Sequence, residues 1–338
     1  MKICLAANIF PPEVGGPAPY AAALRDALEQ GGHEVRVVAF SRYLSVPTGL
    51  RHLLYTIALF RATRGVDGII AFDVITVGLP SVIVSFVRRM PVVARVGGDF
   101  LWERYVEQTG DLVPLPAFYA HKDRWRTSDR FLKTIASFVL GHVRVAFSTQ
   151  WIANLWQQEY GLEASNVRVI ENALPPRTES AAPLKKNFLL YGRAIKLKNV
   201  EAFTRAFEAA RKNFPDIELE CGKIAQENLQ AKIRASYAVA VPSISEVSPN
   251  TVIDAIRAGK PFLLTKHSGY AQRFGDLGVI VDPLDERDMQ RGIEALVDPD
   301  TYRKYADRIL AVKETRTYKD IASEFLRLLT ESSSGPLR

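Results

Sequence analysis

The sequence predicts an α/β chain built as two parallel-sheet domains. Three observations lead there. A length of 338 residues suits two domains of ordinary size. Short apolar runs alternate with amphipathic stretches along most of the chain. One segment rich in Pro, Ser and Ala, ENALPPRTESAAPLKK, separates two such alternating patterns and reads as a linker. Hydrophobic residues make up 47% and charged residues 24%, a soluble globular balance.

In chain order, KICLAANIF reads as a buried strand, PPEVGGPAP as a breaker-rich loop, YAAALRDALEQGG as an amphipathic helix ended by glycine, and HEVRVVAF as the next strand. Such β–loop–α–β units build parallel sheets. The loop has no G-x-G-x-x-G, so the dinucleotide fingerprint is absent. Gly15 and Gly16 suit either a tight turn or a close approach of backbone to a phosphate, since neither carries a Cβ. GIIAF, PVVARV and VRVAFS continue the strand rhythm. From Arg36 to Val66 there are five Arg and no acid. The basic amphipathic helix after Thr48 either covers the sheet or lies on an anionic membrane surface. HKDRWRTSDRFLK sets Trp125 among Lys122, Arg124, Arg126, Arg130 and Lys133, which suits a membrane interface, an anionic substrate or a solvated helix. In VGGDFLWER, Asp99 falls beyond the carboxyl end of a strand, where open parallel sheets bind ligands. It is a candidate for holding a substrate hydroxyl or acting as general base. The alternative is the N-cap of the next helix.

In the second pattern NFLLYG is a strand ending at Gly192. RAIKLKN then brings Arg193, Lys196 and Lys198 into the turn before the helix VEAFTRAFEAARKNF. A planar Arg fork and a flexible Lys charge suit a diphosphate; the plain alternative is a solvated basic turn. SEVSPNTVIDAIRAGKPFLL places Glu246 before a turn, Ser248 as N-cap, Pro249 at the first helical position and Gly259 at the helix end. That helix start offers unpaired N–H groups and partial positive charge to an anion. Val252, Ile253, Ala255 and Ile256 share one face, and Asn250, Asp254 and Arg257 the other, which faces solvent or a cleft.

Charge and special residues narrow the classes. The net charge of +7 is spread, three in the first 175 residues and four in the rest, so no basic block of the nucleic-acid kind is present. Cys4 and Cys221 stand far apart with no His/Cys spacing, which points to neither disulfides nor zinc. Met1 leads directly into an apolar strand and no apolar run approaches the roughly 18 residues of a spanning helix. A cytoplasmic protein is expected.

Taken together the motifs resemble retaining GT-B glycosyltransferases, and specifically glycosyltransferase family 4, over nearly the whole chain. Glu246 and Asp254 match a pattern of two acids eight positions apart. Gly192, Arg193 and Lys198 match a Gly-Arg, four residues, Lys pattern, and Pro11, Pro12, Gly15 and Gly16 match an early Pro-Pro-x-x-Gly-Gly loop. The resemblance implies two Rossmann-like domains facing across a cleft: residues 1–174 on the acceptor side, with a C-terminal helix at about 316–331 returning to pack on them, and a shortened donor-binding domain at 185–313. It implies that Arg193 and Lys198 hold the diphosphate of a nucleotide-sugar donor, with Gly15 and Gly16 approaching it. Ser248, Asn250 and Thr251 sit at the helix start toward the donor, Asp254 bonds the ribose, and Glu246 contacts the sugar near its reacting centre. It further implies transfer to a glycan or lipid-linked acceptor with no metal and no cofactor beyond the donor.

Departures from the family are specific. Asp254 replaces a Glu, a reach shorter by about 1.5 Å. Gly98 and Asp99 stand where a His is usual, so Asp99 becomes the candidate acceptor-side proton acceptor, with Trp102 as a sugar platform and Glu103 one turn on. The competing reading is a non-catalytic GT-B protein that binds a nucleotide-sugar or partners an enzyme. A GT-B epimerase or phosphorylase fits the motifs less well. Residues 333–338, lacking a cluster of apolar side chains, are expected to be disordered.

Overall fold

A computed structural model describes the chain except residues 14–15, 179–182, 184, 194 and 333–338, and except the side chains of residues 226, 227 and 332. The expected disorder of 333–338 thus lies outside the described residues. The elements run β1 (Lys2–Ala7), α1 (Pro17–Gln30), β2 (Glu34–Ala39), α2 (Thr48–Ala62), β3 (Gly68–Ala71), α3 (Gly78–Arg88), β4 (Val92–Val96), α4 (Phe100–Thr109), α5 (Leu115–Ala120), α6 (Thr127–Leu140), β5 (Arg144–Phe147), α7 (Gln150–Tyr160) and β6 (Val167–Val169). They continue with β7 (Lys186–Tyr191), α8 (Val200–Asn213), β8 (Ile217–Gly222), α9 (Gln226–Ala235), β9 (Ala238–Val241), α10 (Asn250–Arg257), β10 (Phe262–Thr265), α11 (Gly269–Phe274), β11 (Val279–Val281), α12 (Glu286–Val297), α13 (Pro299–Ala311) and α14 (Tyr318–Ser332).

Two compact units result. The first joins Met1–Gly97, Arg124–Ala173 and the chain from Arg316 onward. Its sheet has the order β2-β1-β3-β4-β5-β6, and every neighbouring pair is parallel. The order reverses between β1 and β3, so right-handed crossovers put α1 on one face and α2, α3 and α6 on the other. α14 joins α1: Tyr20, Leu24, Ile321, Phe325 and Leu329 pack in one buried cluster with Leu5 and Ile70. Arg144 anchors the end of α14, donating to the Glu331 carboxylate at 3.2 Å and carbonyl at 3.0 Å. Trp125, expected on a polybasic surface, is instead buried, with the Lys133 ammonium 5.5 Å from its ring centre.

The second unit comprises Gly98–Asp123 and Leu174–Thr315. Its sheet, β11-β10-β9-β7-β8, is also parallel throughout. Strand alternation divides β7 between two cores: Leu189 faces Val239, Val252, Ile256 and Leu264, whereas Phe188 and Leu190 face Phe203, Phe207, Ile293 and Leu296. The segment 98–123, which the sequence reading gives to the first domain, packs here. Leu115 N–H donates to Ser245 Oγ at 3.0 Å, Leu197 N–H to Glu107 Oε1 at 3.1 Å, and Lys196 Nζ to the Glu107 carbonyl at 3.3 Å. These contacts span some 90–130 residues of sequence, beyond the reach of local pattern.

Close packing in this unit leaves no room at Gly278. A Cβ there would stand 2.5 Å from the Phe262 ring and 2.6 Å from the Phe262 carbonyl oxygen. Gly278→Ala should therefore cost roughly 1–3 kcal/mol of stability, read from chemical denaturation. Gly49→Ala, in the first turn of α2 with nothing within 4 Å of the added methyl, should instead gain about 0.4–1 kcal/mol.

Candidate functional site

Parallel strands deliver their carboxyl-end loops to one edge, and ligands bind where strand order reverses. In the second unit that point lies between β7 and β9. β7 runs out through Gly192 and Arg193 into a 3₁₀ turn at Lys196–Lys198, and β9 runs into the loop carrying Ser243, Ser245 and Glu246. The Ile244 N–H donates to the Leu197 carbonyl at 2.9 Å, so the two loops are joined through backbone. Across that join Lys198 Nζ ion-pairs with Glu246 Oε1, and Ser243 Oγ donates to the same oxygen at 2.8 Å.

Each partner is held from behind. Asn199 takes a left-handed φ of 54°, which Asn tolerates better than most residues. Its Nδ2 donates to the carbonyls of Pro242 (3.3 Å) and Pro283 (2.7 Å). Gly192 has φ 154°, and a Cβ there would lie 3.4 Å from Lys198 Cε. Glu246 N–H donates to the His267 carbonyl at 3.0 Å, and Gly269 N–H to the Glu246 carbonyl at 3.2 Å. Both loops are thus held by backbone bonds and the buried Asn199 amide, apart from the Lys198–Glu246 pair.

Glu103, in the first turn of α4, completes the group. A Cβ on Gly98 would stand 2.8 Å from its Oε1, so the carboxylate lies directly over that glycine. Burial pushes the Glu103 carboxyl up to about 7; the Arg193 and Lys198 charges pull it back, and the Glu246 and Asp99 carboxylates push it further. Arg193 itself is exposed. Two carboxylates and two cations therefore share one polar cluster.

α10 begins at Asn250, and Pro249, in an extended conformation (φ −67°, ψ 114°), takes the cap position expected for Ser248. Pro249 itself, having no polar side chain, makes no side-chain cap bond. Asn250 is exposed, and Thr251 and Asp254 are half-buried. Asp254 accepts from Tyr191 Oη at 3.1 Å and from Gln230 Nε2 at 2.8 Å. Burial raises its pKa and these two bonds lower it. Thr251 shares a hydrogen bond with the same Tyr191.

Two expectations are corrected by this geometry. Asp99 is 1% exposed: its Oδ1 accepts from the Trp102 N–H at 3.0 Å and its Oδ2 from the Tyr119 hydroxyl at 2.6 Å. It is the N-cap of α4, buried and hydrogen-bonded at both oxygens, and not a base open to a substrate. Trp102 is 3% exposed and its indole N–H donates to the Val113 carbonyl at 2.7 Å, so its ring packs inside the unit and forms no sugar platform. Gly16, in the first unit, is the exposed N-cap of α1 with nothing within 4 Å of a built Cβ. Gly15 lies outside the described residues. Sequence reasoning missed Ser243, Asn199, Tyr191 and Gln230. Tyr191 alone carried a usable signal, as the last residue of a strand entering a switch-point turn. No group of three or more His, Cys, Asp or Glu suited to a metal occurs among the described residues.

The Glu103 shift has a consequence for stability. Its carboxyl titrates near 4.5 in an unfolded chain and near 7 when folded. The folded state therefore favours the protonated form, and this contribution is full below about pH 4.5 and is lost as pH rises through 7. Glu103→Gln should gain on the wild type across that window by on the order of 1–3 kcal/mol. Melting both proteins at pH 5 and pH 8 checks this; a pH-independent difference contradicts it.

No family model and no curated protein matches the chain. Solved structures do. A sucrose-phosphate synthase from Thermosynechococcus elongatus superposes with a TM-score of 0.70 at 15% identity, over 98% of both chains. The Anabaena protein HepE in complex with UDP gives 0.65 at 14% identity, over 98% of this chain and 100% of that one. The catalytic domain of starch synthase IV from Arabidopsis thaliana, bound to ADP and acarbose, gives 0.66 at 12% identity, over 98% and 99%. At such identities the likeness is one of fold: the chain has the GT-B architecture of these glycosyltransferases, with two Rossmann-like parallel-sheet domains.

Proposed function

We propose that the protein is a retaining glycosyltransferase that moves a sugar from a nucleoside-diphosphate sugar to a glycan or lipid-linked acceptor. The observation that carries the reading is the Lys198–Glu246 pair, with Arg193 and Glu103 around it, at the strand reversal between β7 and β9. GT-B neighbours in complex with UDP and with ADP support a donor of this class.

In this reading the donor diphosphate displaces Glu246 from Lys198 and takes a second contact from Arg193. Asn250 and Thr251 offer the start of α10 to the phosphates, and Asp254 exchanges a protein donor for the ribose hydroxyls. Glu246, freed from Lys198 but still held by Ser243 Oγ, contacts the donor sugar. Transfer breaks the bond from the anomeric carbon to the diphosphate oxygen and forms one to the acceptor oxygen. The acceptor proton passes to the leaving diphosphate. Glu103 takes the acceptor-side role first assigned to Asp99, since a carboxyl poised near neutrality can accept a hydrogen bond from the incoming hydroxyl. The two cations stabilise the charge that grows on the leaving group, which makes a metal unnecessary.

Lys198→Ala and Arg193→Ala should each lower transfer or donor hydrolysis by roughly 10²–10³-fold, about 2.7–4 kcal/mol, as expected for a lost contact to developing charge. The melting temperature of Arg193→Ala should change little, since Arg193 is exposed, whereas Lys198→Ala should melt lower because Glu246 loses its cation. A panel of nucleoside-diphosphate sugars, assayed for nucleotide release, measures this. Wild-type rates in the double variant would overturn the assignment. Tight donor binding without turnover in the wild type would favour instead a non-catalytic nucleotide-sugar-binding protein.

A further inference from the structure

The first unit carries an apolar surface that its own fold leaves uncovered. On α2, Leu50, Leu53, Leu54, Ile57 and Phe60 are all exposed, and their spacing puts them on one stripe of the helix. On α3, Ile83, Phe86 (55% exposed) and Val87 (67%) repeat the pattern. On α6, Phe131 (64%) and Phe138 are exposed two turns apart. These helices pack side by side, α2 on α3 and α3 on α6. Side chains bridge the seams: the Arg88 guanidinium lies 3.9 Å from the Phe60 ring centre, and His142 contacts both Phe86 (5.2 Å) and Phe138 (4.6 Å). The patch is therefore continuous over three helices rather than a scatter of single residues, which would need no explanation.

Charge identifies what covers it. α2 and α3 contain no acid, and Asp129, the one acid of α6, is fully buried. Arg61, Arg64 and Arg89 are exposed. Because α2, α3 and α6 lead into β3, β4 and β5, all three end at the edge where the strands begin, and these arginines collect there. Two copies of so cationic a surface would repel each other, which disfavours self-association. Exposed Phe, Leu and Ile stripes rimmed by Arg on helices lying flat match an anionic lipid interface. Arg88 behaves accordingly, its guanidinium covering the Phe60 ring while donating to the Phe60 carbonyl at 3.1 Å.

We propose that the outer face of α2, α3 and α6 docks the protein on an anionic lipid bilayer. The surface belongs to the first unit and the cluster around Lys198 to the second, and the proposal stands independently of the catalytic reading. It extends the basic helix noted in the sequence to two further helices and excludes the buried Trp125 from the contact.

The test is flotation of the full chain with vesicles of phosphatidylcholine alone or mixed with phosphatidylglycerol. Binding to the anionic vesicles should be at least about tenfold tighter at low salt and should fall as salt rises. A Leu53→Gln, Phe86→Gln, Phe131→Gln variant, changed only at exposed positions, should lose that binding while keeping its melting temperature and monomeric state. Arg61→Gln with Arg64→Gln should weaken binding and flatten the salt dependence. Equal binding to both vesicles, no binding to either, or a wild-type dimer that the triple variant makes monomeric would overturn the proposal.

Discussion

The ion pair between Lys198 and Glu246 is the contact on which the functional reading depends. A mostly buried pair of this kind returns little net stability, because desolvating both charges costs about as much as their attraction gains. Its two loops do not need it: the Ile244–Leu197 backbone bond already joins them, and Asn199 and the His267–Gly269 backbone hold each from behind. The pair instead holds a mostly buried cation at a strand reversal with its charge balanced by a carboxylate, which in the proposed function a donor anion replaces. A diphosphate offers Lys198 a stronger acceptor than one carboxylate shared with Ser243.

The second carboxylate gives the cluster its direction. Burial sends Glu103 toward neutrality, and the nearby Glu246 carboxylate further disfavours its charge. In the proposed function Lys198 and Arg193 turn to a phosphate, and both carboxylates then lose cation support together. In that reading Glu246 stays held by Ser243, and Glu103, pushed up to about 7 by burial, takes the acceptor side.

Much of the architecture was legible in the chain because parallel α/β folds announce themselves through alternation of short apolar runs and amphipathic helices. That Arg193, Lys198 and Glu246 lie close together was legible for a related reason. Each follows a recognisable strand end, and strand ends in such sheets share one edge. Asp99 misled because the same local pattern, a carboxylate after two glycines before a helix, describes a ligand-binding loop and an N-cap equally well. Only the Tyr119 hydroxyl, twenty residues on, distinguishes them. Trp102 misled similarly, since its burial depends on Val113 and the packing of α5. The placement of 98–123 with the second unit rests on hydrogen bonds from Glu107 and Leu115 to distant loops. The patch on α3 and α6 was hidden for the opposite reason: an apolar run reads as buried until the fold shows which face it leaves open.

The most direct measurement is a crystal structure of the wild-type chain with a nucleoside diphosphate. The account requires a diphosphate oxygen within about 3 Å of Lys198 Nζ, with Arg193 on the same group and the Lys198–Glu246 pair broken while Ser243 keeps Glu246. A diphosphate bound elsewhere, or bound with Lys198 still paired to Glu246, would contradict it.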